Sequence, residues 1–335
     1  MHNTVVTVSD HVRFIEDVFG TGKLARNAKN IDVRCPICAP LDASKKKLAI
    51  LTDDGRCHCW VCGFRSRTLL PLLKKYATTS KFQEYVTVYV PGLGINVPKP
   101  GARCTWFELN EVERPTLPAD FRLLATSSLK NPDDLAAIRY LTSRKIDRDD
   151  MWYYRLGVSD EPRWKRRVIV PSFDSSGELN YYVARAVDRR VRPKYDNPDV
   201  DKLPIIFNES NVTWDEPVVV CEGAFDMFKC GENVVALLGS DINEQSALFD
   251  ALIVNLPPIL LALDGDMWET KTLKIAKKLT EYKLDVKIVD TRPFIDPGSA
   301  SKEEFKSALA DAKPFEWSSY IKTRLERASR VSLHF

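Results

Sequence analysis

No apolar run in this sequence approaches the roughly eighteen residues needed to span a bilayer, and its longest apolar stretches are only strand-length. The opening MHNTVVTVSD does not read as a secretory signal. There is no internal repeat and no low-complexity tract. A nucleotide-motor phosphate loop is also missing: in FGTGKL (19–24), Asp17 stands where GxxxxGK[ST] requires its first glycine, and Leu24 replaces Ser/Thr. The net charge of +3 is small. These absences leave a globular chain of 335 residues, expected to be cytoplasmic and to hold two or three domains. Eight cysteines are present, five of them within the first 62 residues. That crowding suits a metal site in a reducing compartment better than a disulfide framework.

Cys35 and Cys38 form one CxxC pair, and Cys59 and Cys62 form another after twenty intervening residues, which is zinc-ligand spacing. Cys57 is then surplus. On a strand, Cys57 and Cys59 would carry Cβ atoms roughly 6.5 Å apart on one face, whereas thiolates sharing zinc sit about 3.8 Å apart. His58 is a rival ligand, although on that strand it would face the other way. Lys45, Lys46, Lys47, Arg56, His58, Trp60, Arg65 and Arg67 surround the cysteines. Cations interleaved with an aromatic suit single-stranded nucleic acid, beside the plainer possibility of a metal staple and nothing more.

The N-terminal module is expected to span 1–76, with helices over HVRFIEDVFG and SRTLLPLLKKY. Pro- and Gly-rich segments make 77–130 a linker or hinge, in which EYVTVYV alternates like a strand. A helix capped by Asn131 opens a basic segment over 131–214, where RRVIVPSF and ELNYYVARAV form a hairpin across DSSG. Strand–helix alternation over 215–300 predicts a parallel sheet, and 301–335 a helical tail. From Arg163 to Lys194 there are nine Lys/Arg against three acids, including Lys165, Arg166 and Arg167. Such a cluster is most often a solvated face, and otherwise the footprint of a phosphate backbone.

The sheet carries the candidate chemistry. Glu222 follows VVVC with Asp226 one helical turn on, and Asp264 and Asp266 follow ILLAL. Carboxyl ends of parallel strands share one edge, so these acids can converge on a hard-cation site for Mg²⁺ or Mn²⁺. A single acid after a strand usually only caps the next helix; the EGxxD and DxD pair exceeds that.

These residues resemble the TOPRIM fold, and their order resembles the DnaG-type primases of bacteria and phages, over most of the chain. CPIC with HCWVCG resembles the family's finger, AIRYLTSRKI with YYRLGV its entry to the polymerase domain, and RVIVPSFDSSGELNYYVARAVD with PKYDNP its basic subdomain. Arg185, Lys194, Tyr195 and Asn197 stand on the matching positions, EGAFD and DGD match the TOPRIM motifs, and Asp296 of DPGS resembles a later acid. The resemblance implies an α/β fold: a small zinc-ribbon domain and a TOPRIM-containing RNA polymerase domain with a parallel central sheet. It also implies a nucleotidyltransferase making short RNA primers on single-stranded DNA from ribonucleoside triphosphates. One structural Zn²⁺ and two or more catalytic Mg²⁺ or Mn²⁺ would serve it. Glu222, Asp264 and Asp266 would hold the latter, with Asp226 and Asp296 supporting. Lys165, Arg166, Arg167, Arg185, Lys194, Tyr195 and Asn197 would bind nucleic acid or nucleotide, and His58, Trp60 and Arg65 would read the template. A replicative helicase and a DNA polymerase would be partners in the primosome.

There are departures. The first ligand pair is two cysteines where cellular primases usually have a histidine, Met267 and Trp268 replace small residues after DGD, and Gly298 replaces an acid. With little chain after the catalytic region, a stand-alone phage or plasmid primase in a host bacterial cytoplasm is the expectation. The rivals are a non-catalytic zinc/TOPRIM recombination clamp, which would leave the hairpin and PKYDNP unexplained, and a TOPRIM nuclease, which needs no finger.

Overall fold

The computed structural model describes residues 6–38, 45–95, 114–239, 241–265, 271–294, 300–318 and 320–321. The chain divides into two compact units. One comprises Met1–Leu109, Asn243–Leu256 and Glu281–Leu284, the other Asn110–Ile242, Pro257–Thr280 and Asp285–Phe335.

The first unit opens with the helix Val8–Phe19. Thr7 and Asp10 form a reciprocal capping box, and the i, i+3, i+4 residues His11, Phe14 and Ile15 face inward. An antiparallel sheet follows in chain order: β1 (Lys23–Leu24), β2 (Asn30–Val33), β3 (Leu48–Leu51), β4 (Cys57–Cys59) and β5 (Arg65–Ser66). Alternation sends Ile31, Val33, Leu48, Ile50, Cys57 and Cys59 to the buried face. His11 ties helix to sheet: its Nδ1 donates to the Thr52 carbonyl at 2.8 Å, so its Nε2 accepts from the Tyr85 hydroxyl at 3.2 Å. The ring is fully buried, and burial pushes its pKa below the usual histidine value.

That tyrosine corrects the sequence expectation for EYVTVYV. The segment is helical, Thr79–Glu84 running into a π-helical turn over Tyr85–Tyr89. Tyr85 is fully buried, with rings of Phe14 at 5.2 Å and Tyr89 at 5.6 Å. Tyr85 and Tyr89 lie four residues apart, so one helical face serves both; a period-two reading would have split residues that pack together. Residues 79–92 therefore carry regular structure inside the first unit rather than acting as a linker. The helix Ala247–Asn255 also belongs to this unit, although its sequence lies inside the segment expected to form the parallel-sheet domain. Its buried Asp250 accepts from Thr68 Oγ1 at 3.2 Å.

In the second unit, β6 (Arg122–Leu123), β7 (Gly157–Val158), β8 (Arg167–Phe173) and β9 (Leu179–Ala186) form an antiparallel sheet. Beside it the helix Pro132–Ser143 starts at Asn131, whose side chain accepts from Asp133 N at 2.8 Å. The β8–β9 hairpin turns on Asp174, whose Oδ1 accepts from the amides of Ser176 and Glu178, with Gly177 at φ +85°. Both faces are covered: Val168, Val170, Tyr181 and Val183 join the main core, while Ile169, Tyr182 and Ala184 meet Trp164. Two-sided burial explains why β8 reads as an unbroken apolar run.

A second sheet has the order β11-β10-β12-β13-β14, from β10 (Val218–Cys221), β11 (Val234–Ala236), β12 (Ile259–Ala262), β13 (Val286–Ile288) and β14 (Lys313–Pro314). The first four are mutually parallel, and β14 adds antiparallel to β13. The end of the chain is thus more than helical, since the helix Lys302–Ala310 leads into an edge strand. Among the described residues, no helix is long and apolar enough to cross a membrane.

Candidate active site and metal centre

In the register of the central strands, Cys221 of β10 lies opposite Ala262 of β12. Glu222 and Asp264 follow at the carboxyl ends of neighbouring strands and line one cleft of about 370 Å³ with Asp226. The convergence is a consequence of parallel topology, because two exits on the same edge of a sheet cannot diverge within two residues. Gly265 makes the second exit possible. A Cβ there would come within 2.8 Å of the Thr291–Arg292 backbone, so only glycine fits between the DGD turn and the neighbouring loop. In the EGAFD turn, Asp226 Oδ2 accepts from Gly223 N at 2.9 Å and fixes the loop that presents Glu222. Asp266 and Asp296 lie outside the described residues, as do Met267, Trp268 and Gly298.

The same cleft is lined by Arg185, Lys194, Tyr195 and Asn197. PKYDNP runs beside β9, with Ala186 N donating to Lys194 O, Asp196 N to Ala184 O, and Ala184 N to Asn197 Oδ1. Asn197 thus has a structural task as well as a place in the cleft. The Arg185 guanidinium lies 4.7 Å from the Phe225 ring centroid, 5.3 Å from Tyr195 and 5.8 Å from Tyr140, and donates to the Tyr195 hydroxyl at 2.7 Å. Rings and hydroxyl hold a cation at a fixed orientation. Arg144 also lines the cleft, and Lys271 Nζ lies 2.8 Å from Glu222 Oε1; neither residue sits in a motif or at a distinguishing spacing. Glu222 Oε2 is buried without a hydrogen-bond partner among the described residues, as expected of an oxygen donor that awaits a hard cation.

The expected basic ridge is less available than its charge suggests. Arg167 is only 3% exposed, and its guanidinium donates to the carbonyls of Arg163 and Pro193. This corrects its assignment as a ligand-binding residue: it is a buried cross-brace. Arg166 is half-buried between Asp133 at 3.1 Å and Asp188 at 3.3 Å, and the exposed Lys165 lies 3.8 Å from Asp133. Of the three, Lys165 is the most exposed to solvent.

In the first unit, the sulfurs of Cys35, Cys38, Cys59 and Cys62 all lie within 4.8 Å of one another. The Cys35–Cys62 and Cys38–Cys59 separations are 3.9 and 3.7 Å. A tetrahedral zinc with bonds of about 2.3 Å requires sulfurs about 3.8 Å apart, so the donor set fits. Burial pushes the Cys35 thiol up to about 12. Cys57 stands outside this group, its sulfur buried 3.9 Å from the Thr68 carbonyl. His58 is also outside it; on the opposite face of β4 its ring lies 4.2 Å from that of Trp60, and it pairs in register with Arg65. Trp60 is 72% exposed, which gathers the three expected template-reading residues on one surface.

No protein-family model matches the chain. Over 172 residues, 46% of this chain and 30% of the relative, it is 26% identical to a DNA primase of Thermotoga maritima. The chain resembles a bacterial DNA primase. The match spans less than a third of that primase's length. Among solved structures, the zinc-binding and RNA polymerase domains of the Aquifex aeolicus primase align with 18% identity and a TM-score of 0.49, covering 96% of this chain and 89% of that one. The E. coli primase catalytic core aligns with 18% identity and a TM-score of 0.44, covering 59% and 79%.

Proposed function

We propose that this protein is a DNA primase: a DNA-directed RNA polymerase that makes short RNA primers from ribonucleoside triphosphates on single-stranded DNA. The observation that carries this is the cleft that Glu222 and Asp264, from adjacent parallel strands, share with Arg185, Lys194 and Tyr195. Carboxylates and cations lining one cleft match a reaction between a hydroxyl and a polyphosphate. A primer 3′-hydroxyl attacks the α-phosphorus of the incoming nucleotide and gives up its proton to solvent, the α–β bridging bond breaks, and pyrophosphate leaves with the electron pair. Mg²⁺ or Mn²⁺ held by Glu222 and Asp264, with Asp266 and the supporting Asp226 and Asp296, would offset charge on the attacking and leaving oxygens.

The chain's own side chains do the positioning. Arg185, locked by three rings and the Tyr195 hydroxyl, offers its remaining donors to phosphate oxygens. Lys194, exposed at the rim, adds a mobile positive charge, and the half-exposed Tyr195 ring gives a nucleotide or base a face to stack on. In the first unit, Cys35, Cys38, Cys59 and Cys62 would hold a zinc ion that steadies the knuckles beside His58, Trp60 and Arg65, the residues offered to the template. The proposal entails a cytoplasmic setting, with a replicative helicase upstream and a DNA polymerase receiving the primer.

The experiment is primer synthesis on mixed-sequence single-stranded DNA with Mg²⁺ and labelled ribonucleotides, resolved on a denaturing gel. Short template-dependent RNA is expected from the parent and none from Asp264→Asn, which should still bind DNA. A parent that binds DNA tightly yet makes no RNA, with Mn²⁺ and a helicase also tried, would leave a DNA-binding clamp as the better account.

A further inference from the structure

Lys271 sits where no motif predicted a functional group. Its ammonium lies 2.8 Å from Glu222 Oε1, with the two side chains only 20% and 25% exposed. The other oxygen, Oε2, is buried and has no hydrogen-bond partner among the described residues. One half of the carboxylate is thus neutralised from within the chain while the other is left desolvated, a costly state that a hard cation relieves. Of the other cations lining the cleft, Arg185 is held by Tyr195 and its ring cage, the Arg144 guanidinium lies 6.0 Å from the Phe225 ring centroid, and Lys194 is exposed.

We infer that Lys271 is the resident counter-cation of the metal site. It holds Glu222 Oε1 while no divalent ion is bound, competes with that ion for the carboxylate, and is displaced on loading. This rests on the polymerase proposal, because it takes Glu222 as a metal ligand. The competition has a use: with Glu222 already neutralised, the cleft repels an anionic template or nucleotide less before the metal arrives. The cost is weaker metal binding.

Mn²⁺ titration of the full-length, zinc-loaded protein, followed by the electron paramagnetic resonance signal of free Mn²⁺, tests this without reference to activity. Lys271→Met removes the ammonium with little change of shape, and Lys271→Gln serves as a second neutral variant should the first fold poorly. Both are expected to bind Mn²⁺ about three- to tenfold more tightly than the parent, the range for releasing one partly screened ion pair. Lys271→Arg, which keeps the charge, should bind no more tightly than the parent. Neutral variants that bind equally or more weakly would overturn the inference. Glu222→Gln separates the two levels. If it binds Mn²⁺ as well as the parent does, Glu222 is no ligand and both proposals fall. If it loses binding while the neutral lysine variants leave affinity unchanged, only the role of Lys271 falls.

Discussion

Arg167 and Arg185 are two basic residues of the same hairpin, and the structure gives them opposite tasks. The Arg167 guanidinium is buried and donates to the Arg163 carbonyl at 3.3 Å and the Pro193 carbonyl at 2.9 Å. Arg167→Met removes two hydrogen bonds from a charged donor, each worth about 1.5 kcal/mol, so the second unit should lose about 3 kcal/mol. For a domain of this size that is a fall in Tm of roughly 6–12 °C. It should leave the salt dependence of single-stranded DNA binding unchanged, because no phosphate can reach a buried guanidinium. Arg185→Met should do the reverse. A thioether among Phe225, Tyr195 and Tyr140 keeps much of the aromatic contact, so the stability cost is about 1 kcal/mol. The lost phosphate partner should flatten the plot of log K against log[salt] by about 0.7. Fluorescence anisotropy with a labelled oligonucleotide over a salt series, beside thermal melts, gives both readouts. If Arg167→Met flattened the salt plot while Tm stayed in place, the assignment of Arg167 as a cross-brace would be refuted.

Removing zinc with a strong chelator, or substituting Cys38→Ser, should unfold the β1–β5 sheet, since a structural zinc contributes about 10–16 kcal/mol of apparent binding energy. A metal-sensitive dye should report one zinc released per chain, and a first unit that kept its far-ultraviolet circular dichroism afterwards would contradict a structural role. His11 is buried neutral with its pKa depressed by desolvation, so the unfolded state takes up its proton more readily. Its stability contribution is complete above about pH 6.5 and declines as pH falls below that value, by at most about 1.4 kcal/mol per pH unit. Asp250, raised to about 7 by burial, acts with the opposite sign, favouring the fold at low pH and losing that benefit as pH rises toward 7. Urea unfolding of the parent against His11→Gln between pH 5 and 7, on the order of the unshifted histidine value, isolates the histidine; equal slopes would argue against its neutral, buried state. Trp60→Ala should impair initiation on single-stranded DNA more than extension of an annealed primer, and equal losses would remove the case for template reading.

Local chemistry was enough to find several elements in the sequence. The cysteine spacing picked out the four sulfurs that converge, Asn131–Pro132 marked a helix start, and DSSG marked the hairpin turn, because each depends on neighbours a few residues away. The convergence of Glu222 and Asp264 was legible because parallel strands deliver their carboxyl ends to one edge whatever the details of packing. Tertiary structure decided the rest. EYVTVYV became helical because Tyr85 and Tyr89 must share a face with Phe14 and His11, and a period of two in seven residues cannot outweigh that burial. The helix Ala247–Asn255 fell to the first unit, a grouping that chain order conceals. Charge along the chain said that RWKRR was basic; folding decided that Arg167 is buried and that Arg166 lies between Asp133 and Asp188, while Arg163 and Lys165 remain exposed. Lys271 and Glu222 are forty-nine positions apart, and only folding made them neighbours. Sequence fixes which groups exist and what each can do alone, whereas the availability of a charge depends on its distance to others and its access to water, and those are properties of the folded chain.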